Sequence, residues 1–209
     1  MSAEVPQVGH LPKRAWIDVD ETPVYYDMPQ GRTLAKIGGS SRVQETQKHS
    51  DKITVALSIR ADGKTMPLLI IIKGTPGGEI DVDELPTYPP GPVYAMQKTA
   101  CMDQRVWSLY LREVLQPEVD CPSVVLADKF TCNVLKKSYN ILEDELFCSA
   151  YLQPLPANTT SVLQPLDMGV MGRFKQICHR KWITEVKVVT ATEKRLAHNI
   201  CIPLSTSNF

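Results

Sequence analysis

Residues 53–72, ITVALSIRADGKTMPLLIII, constrain the fold more than any other stretch. Ile53 to Arg60 and Thr65 to Ile72 are β-branched or aliphatic runs. The four residues between them, Ala61-Asp62-Gly63-Lys64, contain an Asp-Gly pair, which supplies the positive φ that a tight hairpin needs. A chain built on such a hairpin must bury a sheet, and the rest of the sequence has material for one. Ala15 to Val19 predicts a short strand, with Asp18 and Asp20 on one parity near its end and Thr22-Pro23 stopping it. Ser123 to Ala127, SVVLA, predicts a buried strand that delivers Asp128 at its C-terminal end. Phe147 to Leu152 predicts another short strand.

Helical spacing lies between these runs. Asp103 to Gln116 sets Val106, Trp107, Tyr110, Leu111 and Val114 at steps of three and four before Pro117, the pattern of an amphipathic helix. Val134 to Leu146 also has helical character. From Leu166 onward Val170, Phe174, Ile177 and Trp182 follow a helical repeat. Five prolines and four glycines between Lys73 and Pro92 predict a long surface loop, and Pro154 to Pro165 a second one. Strands and helices in this order describe a mixed α/β domain.

With 209 residues, 43% of them hydrophobic, the chain can bury one substantial core. Lys plus Arg and Asp plus Glu each total 23, so nucleic-acid binding would have to use local patches instead of a global basic field. The longest apolar run, Met66 to Ile72, is broken by Pro67 and is far short of the roughly 20 residues that span a bilayer. The N-terminus lacks the apolar stretch and cleavage site of a secretory signal, so an intracellular location is expected. The six cysteines form no C-x-x-C pair, and the four histidines are not read as pairing with a Cys at metal-ligand spacing, so neither zinc nor a disulfide framework is expected.

Three acids share a placement. Asp20 closes the first strand, Asp128 closes SVVLA, and Asp167 opens the last helix after a proline. In open α/β sheets ligands sit at the carboxyl ends of strands, so these remote residues can meet in one crevice. Three carboxylates there need a counter-charge, and hard oxygen ligands suit Mg²⁺ or Mn²⁺. A pair of such ions roughly 3.5–4 Å apart suits phosphodiester displacement.

DETPVYYDMP, ADGKTMPLLIIIKG, VVLADKF and above all LPANTTSVLQPLDMGVMGRFK resemble the DDE-superfamily endonuclease domain of pogo-, tigger- and jerky-like transposases. The resemblance runs from about Lys13 to Trp182. It implies an RNase H-like mixed sheet flanked by helices over residues 13–188, with a short leader at 1–12 and a divergent tail at 189–209. It also implies an Asp20, Asp128, Asp167 metal triad, a two-metal Mg²⁺ or Mn²⁺ site, DNA as partner, strand cleavage and transfer as ancestral chemistry, and the nucleus as the place of action. Relatives carry a His shortly after the second acid, where VLADKFTCN offers Asn133. This departure keeps open an inactive or domesticated domain that binds nucleic acid or protein without catalysis. Only about a dozen residues precede Lys13, so no helix-turn-helix reader is expected in the chain. Sequence choice would then fall to a homo-oligomer or a separate DNA-reading partner.

Several other residues carry narrower expectations. Asp18 is expected to be a solvated residue or one that supports Asp20. Asp18-Val19-Asp20-Glu21-Thr22 also fits the D-x-D-x-T pattern of haloacid-dehalogenase-type phosphatases, an alternative in which Asp18 is the nucleophile. Asn158-Thr159-Thr160 is expected to fix its loop by side-chain bonds to backbone. Seven Lys or Arg and two Glu lie between Arg173 and Arg195. Lys129, Arg173, Lys175, Arg180 and Lys181 are thus candidates for phosphate contact, with a solvated helix face as the plain alternative.

Overall fold

The Asp-Gly turn forms as its residues require. Gly63 adopts φ +90°, its N–H donates to the Arg60 carbonyl at 2.9 Å, and the Arg60 N–H donates to the Lys64 carbonyl at 3.0 Å. The structure, a computed structural model, describes residues 11–26, 51–127, 135–155 and 164–185. The hairpin strands are β2 (Lys52–Arg60) and β3 (Leu69–Lys73). Thr65 makes a single bridge to Ile59, whereas the main ladder runs from Ala56↔Leu69 to Thr54↔Ile71. One extra residue therefore lies on the β3 side, a bulge beside Pro67, which has no N–H to give. The second strand accordingly begins at Leu69 and not at Thr65.

β1 (Trp16–Tyr25) is longer than expected. It pairs antiparallel with β2 from Ile17↔Arg60 to Tyr25↔Lys52, and Thr22-Pro23 does not stop it. On its other edge it pairs in parallel with β5 (Ser123–Ala127), from Trp16↔Val124 to Val19↔Ala127. Pro23 stands opposite Thr54 of β2, so its missing N–H does not end the strand. β4 (Val93–Gln97) runs parallel to β3, and β6 (Ala150–Pro154) parallel to β5. The sheet order is β4-β3-β2-β1-β5-β6, with β2 opposed to the other five. This mixed sheet with flanking helices is consistent with an RNase H-like α/β fold.

β4 was not expected from the sequence. The preceding loop also holds helical turns at Ile80–Glu84 and Leu85–Thr87, so its prolines and glycines do not exclude all regular structure. β6 starts at Ala150, three residues later than predicted, because Phe147 occupies the left-handed region at φ 49°, which a strand cannot include.

α1 (Gln104–Tyr110) is capped by Asp103, whose side chain accepts the Val106 N–H at 2.9 Å. A wider turn at Leu111–Leu115 continues it. α2 (Leu135–Asn140) continues through Ile141–Glu145 in the same way. The turn Leu166–Val170 leads into α3 (Met171–Glu185). Leu69 and Ile71 pack on the α1–α2 face while Ile70 and Ile72 pack on the α3 face, so the unbroken apolar run of β3 is buried on both sides. Among the described residues no helix is long and apolar enough to cross a membrane.

Candidate carboxylate site

Alternation along β1 sends Ile17 and Val19 into the α1–α2 core and Val24 into the α3 core. Asp18 and Asp20 share the parity of Val24 and so lie on the α3 face. Here the start of the last helix comes down onto β1. Leu166 is fully buried and its N–H donates to Asp18 Oδ2 at 2.9 Å across 148 positions of sequence. Gln164, also fully buried, donates from Nε2 to the Val19 carbonyl at 3.2 Å. Asp167 follows Leu166 directly. Its exposed carboxyl reaches hydrogen-bonding distance of Asp20, whose Oδ1 already accepts the Glu21 N–H at 2.7 Å.

The electrostatics follow from crowding acids at a partly dry junction. Burial pushes the Asp18 carboxyl up to about 6. The Leu166 N–H opposes this shift and the nearby Asp167 charge adds to it. Burial likewise pushes Asp20 up to about 6. The Glu21 N–H opposes that shift, while the charge and hydrogen bond of Asp167 and the charge of Asp18 reinforce it. Two carboxyls therefore hold protons more tightly than free aspartate does, as desolvation and like charges require. Among the described residues Asp18 Oδ1 and Gln164 Oε1 are both buried without a hydrogen-bond partner, an arrangement that is unfavourable unless something else offsets it.

The sequence-predicted residues are distributed unevenly. Asp20 and Asp167 are brought together. Asp128 and Lys129 lie outside the described residues, as do Asn133 and Asn158-Thr159-Thr160. Ala127, the residue before Asp128, pairs with Val19, the residue before Asp20. Asp18 is not solvated: it is 5% exposed and committed to the Leu166 N–H. A buried, hydrogen-bonded carboxyl is poorly placed to attack a phosphoryl group, which counts against Asp18 as a phosphatase nucleophile. Arg173, Lys175 and Arg180 are exposed along α3 and Lys181 is half-exposed, while Met171 and Phe174 bury the opposite side of the same helix. Among the described residues no group of three acidic, His or Cys side chains is set to hold a metal ion. Gln164 was given no role by sequence reasoning. Its only signal there was its place two residues ahead of Leu166 in LQPLD.

Similarity to known proteins agrees with this architecture. A human protein described as "Pogo transposable element with ZNF domain" is 23% identical over 138 residues, which is 66% of this chain and 9% of that protein. The chain therefore spans about a tenth of the length of this relative. No solved structure matches the chain. Residues 50–200 match the family described as DDE superfamily endonuclease, a stretch that includes Asp128 and Asp167 and begins after β1. Since that match covers well over half of the sequence, the chain belongs to the DDE superfamily endonucleases.

Proposed function

We propose that this chain is a transposase-derived, DNA-binding endonuclease domain whose Asp20, Asp128 and Asp167 would hold divalent ions, Mg²⁺ or Mn²⁺. The observation that carries the reading is the meeting of Asp20 with Asp167. Carboxyls from the first strand and the last helix come close enough for Asp167 to raise the Asp20 carboxyl, beside Asp18, which is buried, and a cation of hard oxygen preference is the natural counter-charge for such a donor set. The register that pairs Val19 with Ala127 supports Asp128 as the third member, because each of these residues immediately precedes one of the proposed ligands. Paired ions held there would supply activation of an attacking oxygen and stabilisation of a leaving oxygen in phosphodiester displacement.

The protein's own part is positional. β1 and the Leu166–Val170 turn fix two carboxyls against each other, with Asp167 on the open side where a DNA strand can approach. Arg173, Lys175, Arg180 and Lys181 on α3, together with Lys129, would contact phosphates along that strand. DNA as partner implies a nuclear location. A further copy of the chain or a separate DNA-reading partner would contribute to the choice of sequence.

A second reading, a domesticated domain that binds without cutting, is favoured by Asn133 where relatives of the resembled transposases carry His. Calorimetry with Mn²⁺ tests the metal site. We expect Asp20→Asn and Asp128→Asn to bind at least about tenfold more weakly than wild type, and equally weak binding by wild type and Asp128→Asn would remove the triad. Nicking of supercoiled plasmid in Mn²⁺ then separates the two readings, since the domesticated domain would bind the ion and the plasmid and leave the DNA intact.

A further inference from the structure

The mechanism proposed above makes no use of two buried polar side chains that join the same two elements. Asp18 accepts the Leu166 N–H at 2.9 Å, and Gln164 donates to the Val19 carbonyl at 3.2 Å. The two bonds cross in direction: a β1 side chain holds a helix-start amide, and a helix-start side chain holds a β1 carbonyl. They bracket the acidic pair as well, since Val19 precedes Asp20 and Leu166 precedes Asp167. Neither Asp18 nor Gln164 is accessible to a substrate, at 5% and 0% exposed. A clasp of two bonds fixes both the height and the rotation of the helix start on the strand, which one bond would leave free to pivot.

From this geometry we infer that Asp18 and Gln164 are positioning residues that seat Asp167 against Asp20. Packing of Leu166 drives the helix onto the sheet without direction, and the two hydrogen bonds select the register. What Asp18 contributes is an acceptor oxygen at one place, which an asparagine carbonyl also supplies. The inference rests on the carboxylate-site reading for its consequence, but the clasp can be measured without any metal.

Two readouts on the full chain test it: hydrogen exchange at the Leu166 amide, and Mn²⁺ affinity by calorimetry. Asp18→Leu fills the same space without an acceptor. It is expected to speed Leu166 exchange at least about tenfold and to weaken Mn²⁺ binding by about 10–100-fold, the range seen when groups that orient a ligand are removed. Asp18→Asn is expected to restore slow exchange and to stay within about threefold of wild-type affinity. Gln164→Leu gives the same loss through the other bond and serves if Asp18→Leu does not fold. Wild-type exchange and affinity in both leucine variants would overturn the inference, as would an Asp18→Asn variant as impaired as Asp18→Leu. Should wild type bind no Mn²⁺, the metal reading fails, and Leu166 exchange still decides whether the clasp exists.

Discussion

The two faces of the sheet are built on different terms. On the α1–α2 face the buried polar groups are matched: Tyr110 Oη meets Ser58 Oγ at 2.8 Å, Trp107 Nε1 donates to Ser138 Oγ at 2.9 Å, and Thr54 Oγ1 donates to the Ala100 carbonyl at 2.5 Å. The junction of β1 with the last helix is different. Among the described residues, the buried side-chain atoms without a partner are Asp18 Oδ1, Gln164 Oε1 and His179 Nε2, all of them on that side. Two carboxyls are also pushed up to about 6 there. One face satisfies the ordinary rules of a stable core, and on the other two of the three exceptions, Asp18 Oδ1 and Gln164 Oε1, lie at the cluster of acids. Local violations of this kind are concentrated where function opposes stability.

The most severe way to break the comparison is to damage the well-made face. Trp107 is 2% exposed, stacks on Tyr110 with ring centroids 4.9 Å apart and holds Ser138. Trp107→Ala removes a large buried ring and the hydrogen bond that its Nε1 donates to Ser138 Oγ. We expect a loss of about 3–5 kcal/mol in urea unfolding. A loss below about 1 kcal/mol would mean that the α1–α2 face is no better packed than the site it is contrasted with.

The second prediction turns to the other face and has the opposite sign. Below pH 3.8 the Asp18 carboxyl is protonated in both folded and unfolded chains and contributes nothing to the pH dependence. Above about 6 it is ionised in both, and the folded chain carries a buried charge. Stability from this group is therefore lost as pH rises from about 4 to about 6. Asp18→Asn keeps the acceptor for Leu166 and removes that charge. The variant is expected to be more stable than wild type at pH 7.5, by on the order of 1–3 kcal/mol, with the gain vanishing below about pH 4. Denaturant titrations at the two pH values check this. A destabilised variant at pH 7.5 would show that the ionised carboxylate is welcome at the junction.

How far the sequence foretold these faces differs in the same way. The hairpin was legible because Asp62-Gly63 demands a turn and the residues on either side demand burial. α1 was legible because its apolar repeat keeps helical steps up to Pro117. Both signals are local. β1 was read too short because Pro23 looked like a stop, whereas β2 pairs with the strand through to Tyr25. Asp20 therefore does not end its strand. Its place, one residue past the pairing of Val19 with Ala127, is a property of the sheet and not of any window of sequence. The meeting of Asp20 and Asp167 was nominated from strand ends and from family resemblance. The burial of Asp18 was missed, since its partner is the amide of a residue 148 positions away. Gln164 was illegible for the same reason. A long-range bond from an uncharged side chain leaves no periodicity to find.

A third prediction sharpens the contrast by removing one matched pair. Tyr110 is fully buried, and desolvation pushes its hydroxyl well above the ordinary tyrosine range, with the Ser58 bond acting against that shift. Tyr110→Phe keeps the ring and its packing and strands the Ser58 hydroxyl, which is 3% exposed. We expect a loss of about 1–2 kcal/mol, and a double variant with Ser58→Ala should recover much of it because both polar partners are then gone. If the double variant loses as much again as the single, the pair is not a matched unit and the two substitutions act independently.

The smallest effect is expected at the rim of the same face. Arg112 donates to Glu145 Oε2 through Nε at 3.2 Å and Nη2 at 2.5 Å, tying the end of α1 to the end of α2. Both side chains are substantially exposed, at 37% and 51%, so water and salt screen the pair while two long side chains lose freedom to make it. Glu145→Gln should change stability by less than about 0.5 kcal/mol, with the difference shrinking further in about 0.5 M salt as screening shortens the range of the charges. Apolar burial and internal hydrogen bonds would then account for the strength of the α1–α2 face, and the ion pair outside it would be incidental. A loss above about 1.5 kcal/mol that persists in salt would instead make the rim a structural tie, and the face would depend on charge as the carboxylate junction does.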